Sequence, residues 1–92
     1  MYAIVVTANI APGQFESSRK ALKEEVVPRV TKAPGMVKGY WTINSDHTQG
    51  VSIVVFQSRE NAEEAVKMVR NTPPPTGVTL GNVELREVVA ET

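Results

Sequence analysis

The residues of this chain that are equipped for chemistry are few, and they lie far apart in sequence. His47 is the sole histidine, set in the polar stretch SDHTQG at 45–50 beside Asp46. An imidazole titrates near neutrality, and an adjacent carboxylate can orient it as a general base. The competing reading is a solvated loop residue, since exposed polar side chains belong on loops. Asn9 closes an otherwise aliphatic run, YAIVVTANI at 2–10. Its amide can orient a ligand carbonyl or hydroxyl, or it can be satisfied by the turn that follows. Tyr40 stands beside Trp41, the sole tryptophan. Both rings can stack on a planar ligand, and both can equally serve core and interface packing. Asn9, Trp41 and His47 are therefore the catalytic candidates, and Tyr40 is a candidate for ligand binding.

Other chemistries are excluded. The chain has no cysteine, hence no thiol nucleophile, disulfide or thiolate ligand. One histidine without a His-x-x-x-His spacing predicts no metal site. No nucleophile elbow is present, and APGQ at 11–14 and APGM at 33–36 hold one glycine each, too few for a phosphate loop. Ten basic and ten acidic residues cancel. The balance argues against capture of nucleic acid or of an anionic membrane. AIVV at 3–6 is too short to cross a bilayer or to act as a signal peptide. The expectation is a cytoplasmic protein.

These side chains must be positioned by a single domain spanning all 92 residues. A chain of this length buries about 60–65% of its unfolded surface, which leaves a modest core. Residues 2–10 read as a strand, ended by APG. Residues 14–32 have a helical period, with Phe15, Ser18, Leu22, Val26 and Val30 on one stripe. Pro28 lies inside that helix, where it removes a hydrogen bond and predicts a bend or a second short piece. Gly35 is the natural left-handed exit. Strands at 36–44 and 51–57 follow, joined by a hairpin loop. Ser58 is a good N-cap for a helix at 59–71. TPPPTG at 72–77 predicts an extended connector, and a last strand is placed at 82–90. The order is β-α-β-β-α-β, the pattern of a ferredoxin-like α+β fold with an antiparallel four-stranded sheet and both helices on one face.

Successive strand residues point to opposite faces. Sorted in that way, no face of the sheet is polar throughout, yet two helices cover only one. The uncovered face is expected to carry residues such as Val54, Phe56 and one of the Tyr40–Trp41 pair, a patch that monomers seldom tolerate. Burying about 800 Å² per partner, half of it apolar, is worth on the order of 10 kcal/mol gross. The expected partner is therefore a second copy of the chain, packed sheet against sheet. Glu84, Arg86 and Glu87 read as charges protecting a sheet edge.

The element order, together with VVPRVTKAPGMVKGYW at 26–41 and GVSIVVFQSRENAEEA at 50–65, resembles the dimeric α+β barrel superfamily, and within it the antibiotic biosynthesis monooxygenase-like proteins. The resemblance implies a dimer with a pocket in each subunit between the helices and the sheet. It also implies a small aromatic, phenolic or otherwise apolar ligand, and oxygenation without a cofactor as the possible reaction. A non-catalytic ligand-binding or assembly module is the alternative. The haem-degrading branch uses a first-strand asparagine, a late third-strand tryptophan and a second-helix histidine. Here Asn9 is present, Phe56 replaces the tryptophan, and 59–71 has no histidine, so haem degradation is rejected. The quinone-forming branch implies an Asn, Trp, Tyr and Arg set, to which Asn9, Trp41, Tyr40 and Arg86 correspond. Phe56 and Arg86 thus join Tyr40 as ligand-binding candidates.

Overall fold

A computed structural model describes all residues, Met1–Thr92. Four strands, β1 (Tyr2–Ile10), β2 (Met36–Ile43), β3 (Gln49–Phe56) and β4 (Val78–Glu87), form one antiparallel sheet in the order β2-β3-β1-β4. The chain between β1 and β2 is helical in three pieces: α1 (Phe15–Ala21), a π-helical turn over Leu22–Val26, and α2 (Val27–Thr31). A single helix, α3 (Arg59–Asn71), joins β3 to β4. The architecture is the expected ferredoxin-like α+β fold.

Local chemistry accounts for the joints. Gln14 N–H donates to the Ala11 carbonyl (3.0 Å), and Gly13 has a φ of 76°. Proline at the second position and a left-handed glycine at the third suit a tight turn of this kind, so Pro12 belongs to the turn before the helix. Pro28 supplies no N–H, and its ring would collide with the carbonyl four residues back. The helix widens just ahead of it, with Val27 N–H donating to the Leu22 carbonyl five residues earlier. The interruption expected at Pro28 is thus a π turn. Gly35 leaves α2 at a φ of 74°, and a Cβ there would collide with the Asn61 side chain. At the start of α3 the Ser58 hydroxyl accepts from Asn61 N–H (3.1 Å), as an N-cap should.

Two strands, β3 and β4, differ from expectation by more than one residue. β3 starts at Gln49, because the hairpin loop is short. Asn44 Oδ1 accepts from both Thr48 N–H and Gln49 N–H (3.0 Å each) and closes the loop early. β4 occupies Val78–Glu87 rather than 82–90. Gly81 does not end it, because a register shift opposite Val6–Ala8 takes up the irregularity and Gly81 lies against the Thr7 carbonyl. Val78 and Leu80 then pair with Ile10 and Ala8.

The core lies where α3 meets the sheet. Ile4, Val54, Phe56, Ala62 and Ala65 are buried together, and Phe56 is fully inaccessible. Alanines at the contact let α3 approach closely enough for the Phe56 ring to fill the layer. This corrects the expectation that Val54 and Phe56 lie on the uncovered face. Pairing of Ile4 with Val54 and of Tyr2 with Phe56 puts them on the helix side. The first helical run is held less tightly: Ser18 is its one buried residue.

Phe56→Ala is expected to lower the unfolding free energy by about 3–5 kcal/mol in denaturant titration. Ser58→Ala is expected to cost about 1 kcal/mol.

Candidate functional site

The inward residues of β3, from the core outward, are Phe56, Val54, Ser52 and Gly50, which fall steadily in size. Beside them β1 presents Ile4, Val6 and Ala8, and β2 presents Gly39, Trp41 and Ile43. Beyond Val54 small side chains, Ser52, Gly50 and Ala8, occupy the middle of this face, with Val6, Trp41 and Ile43 around them. Above it, Phe15, Leu22, Val26 and Val30 face inward from the first helical run, and Val30 packs against the core. A cavity of about 390 Å³ remains between them, within the range that holds small-molecule ligands. Thr72 and the Pro73–Pro75 segment line it as well. The stripe legible in the sequence thus faces the sheet as expected, and it roofs a chamber rather than a packed layer.

Trp41 is the aromatic that enters this chamber. Its indole lies over Gly39, where a Cβ would come within 2.9 Å of the ring. Tyr40 takes the opposite face, 56% exposed, with Lys38 Nζ 5.6 Å from its ring centroid. The two neighbouring rings therefore serve the two sides of the sheet, Trp41 the cavity and Tyr40 the open face.

The other candidates do not assemble with Trp41. Asn9 pairs across the sheet with Gln49 and Thr79 and is exposed on the open face. Strand parity decides this: Ala8 and Ile10 line the cavity, so Asn9 between them cannot. Arg86 is also on the open face, donating from Nε to Glu84 Oε2 (2.9 Å). Phe56 is sealed in the core and takes no part in lining the cavity. His47 is exposed at the hairpin tip with a φ of 59°. Asp46 accepts from the Thr48 hydroxyl (2.6 Å) rather than from the imidazole, so the expected oriented base is not formed. The His47 ring instead stacks on Phe15, centroids 4.0 Å apart and planes inclined by 22°. It thereby braces the cavity's end wall from outside. No cluster of three metal-ligating side chains occurs, and no helix is long and apolar enough to cross a membrane.

Sequence reasoning missed Ser52, Ala8, Lys23 and Arg29, all of which line the cavity. The signal for the first two was their small size at inward parity on central strands.

No protein-family model and no curated protein sequence matches the chain. Solved structures do. A dimeric ferredoxin-like protein from an uncultured marine organism superposes with a TM-score of 0.68 at 12% identity, over 100% of this chain and 98% of the other. A protein of Chloroflexus aurantiacus J-10-fl, provisionally assigned as an antibiotic biosynthesis monooxygenase, gives 0.64 at 15% identity over 99% and 95%. A monooxygenase from the gene ActVA-Orf6 of Streptomyces coelicolor, solved with nanaomycin D, gives 0.58 at 14% identity over 99% and 92%. The chain has the fold of the antibiotic biosynthesis monooxygenase-like proteins. Identities this low carry the antibiotic biosynthesis monooxygenase-like fold and not the site.

Ser52→Leu is expected to narrow the chamber beside Trp41, leave stability unchanged or raise it by up to about 2 kcal/mol, and weaken binding of any ligand held there. Asn9→Ala is expected to leave binding unchanged. Calorimetric titration and thermal unfolding check both.

Proposed function

We propose that the chain pairs with a second copy of itself through the open face of its sheet and holds a small aromatic or otherwise apolar molecule in the cavity beneath the first helical run. The observation that carries the ligand reading is the cavity itself: an apolar chamber of about 390 Å³ in which the sole tryptophan lies. Burial of apolar ligand surface against Val6, Leu22 and Trp41 would supply the affinity.

The pairing rests on the row Tyr40–Ile53–Val5 across β2, β3 and β1. Ile53 is 41% exposed there, with Val51 and Val55 on the same face. Lys38, Glu84 and Arg86 surround this apolar centre, the arrangement of a protein interface with a polar rim. The dimeric state of one protein with this fold adds support.

A second reading makes the bound molecule a substrate. Two proteins of the same fold are named monooxygenases, and the chamber is largely apolar. In that reading a phenol loses its proton and reacts directly with dioxygen. One oxygen atom becomes a quinone carbonyl and the other leaves as water. The protein contributes exclusion of bulk water and the Trp41 indole against the ring.

Three measurements test these statements. Light scattering of the 10.0 kDa chain is expected to give twice that mass, and Ile53→Lys is expected to return it to the single-chain value. A panel of naphthols is expected to quench Trp41 emission and raise the melting temperature of the wild-type protein more than that of Ser52→Leu. Oxygen uptake with the same panel, reduced in Ser52→Leu, supports the enzyme reading. Binding without uptake leaves the binding module, and no binding overturns both.

A further inference from the structure

The charges around the cavity are all of one sign. Arg19, Lys23 and Arg29 line it, and no aspartate or glutamate does. Composition does not account for this, because the chain carries ten acidic and ten basic residues. Nor does the first helical run, which also bears Glu16, Glu24 and Glu25. Glu16 is turned to Arg19 (3.6 Å). Glu25 lines a separate outer groove, which shares a wall with the cavity at Val26, Arg29 and Pro73–Pro75. Glu24 is exposed and faces neither. Lys23 and Arg29 form no ion pair. They are long amphipathic side chains, whose stems can lie on apolar surface while their heads stay at the mouth.

We propose that the ligand of this cavity is an apolar molecule carrying one carboxylate, its body against Val6, Leu22 and Trp41 and its acid held at the mouth by Lys23 and Arg29. The proposal rests on the reading of the cavity as a ligand site and specifies what that site takes. The two cations are six residues apart across the π turn. A regular helix puts such a pair about 9 Å apart along its axis and about 120° apart around it, and the two long side chains nonetheless line the same cavity. Arg29 offers a planar fork matched to that group, and Lys23 a mobile point charge. A cationic or zwitterionic ligand finds no counter-charge here, and a neutral one leaves both heads unused.

The test uses three probes of equal chain length below their micellar concentrations: decanoate, decanol and decyltrimethylammonium. Each is titrated into the full-length protein, with Trp41 emission and calorimetry as readouts. Decanoate is expected to bind at least 10-fold more tightly than decanol, with the ammonium weakest. Lys23→Gln/Arg29→Gln, checked for an unchanged circular dichroism spectrum, is expected to reduce decanoate to the affinity that decanol has for the same variant. Equal affinities of decanoate and decanol for the wild type, or a preference that survives the double substitution, overturn the carboxylate assignment and leave the ligand site standing. Failure of all three probes, or binding that Ser52→Leu does not diminish, overturns the ligand site together with it.

Discussion

A four-stranded sheet with apolar residues on both faces, covered by helices that suffice for about half of one, is the constraint from which the rest of this structure follows. Only α3 sits close, because Ala62 and Ala65 let it descend onto Phe56, Val54 and Ile4. That contact is the hydrophobic core in the strict sense. The first helical run spans the other half of the same face, where Ala8, Ser52 and Gly50 leave space between Val6, Trp41 and Ile43. The opposite face has no helix and exposes Ile53 and Tyr40. One shortage of cover thus leaves a bare outer surface and a hollow inner layer, and each becomes available for a partner of its own kind.

The helical run is built in keeping with that role. Pro28 forbids one regular hydrogen bond, and the π turn over Leu22–Val26 takes up the irregularity. The widened turn lies in the roof, since Leu22, Lys23 and Val26 all line the chamber. A roof that rests on a cavity and carries a broken ladder forgoes packing energy that α3 secures, and such elements are where local opening is least costly. At the far end the His47–Phe15 stack ties the hairpin to the start of α1. The lone histidine therefore has a mechanical position beside the chamber and no contact with its interior.

Most of the architecture was legible in the sequence. Hydrophobic period and breakers gave the element order, the inward stripe of the first helix, the disturbance at Pro28 and the cap at Ser58. The site was less legible, for a definite physical reason. A cavity is marked by the residues that fail to fill it, and Ser52, Gly50 and Ala8 look unremarkable until parity and strand order place them side by side. Searching for chemically capable side chains selected Asn9, His47, Tyr40 and Arg86, each of which strand parity or loop position puts outside the chamber. Trp41 was found, but nothing short of the pairing register could say that it turns inward and Tyr40 outward. Phe56 corresponded by position to a functional tryptophan in the resembling haem-degrading branch. Its complete burial against α3 makes it a structural residue here.

The central claim is that the layer between the first helical run and the sheet is hollow and apolar. Diffraction from crystals of the wild-type protein under xenon pressure tests it most directly, because a void lined by aliphatic and aromatic groups takes up the gas without rearrangement. Xenon density is expected between Leu22 and Val26 above and Val6, Ser52 and Trp41 below. Absence of that density, with Leu22 and Val26 packed directly on Ala8 and Ser52, would contradict it.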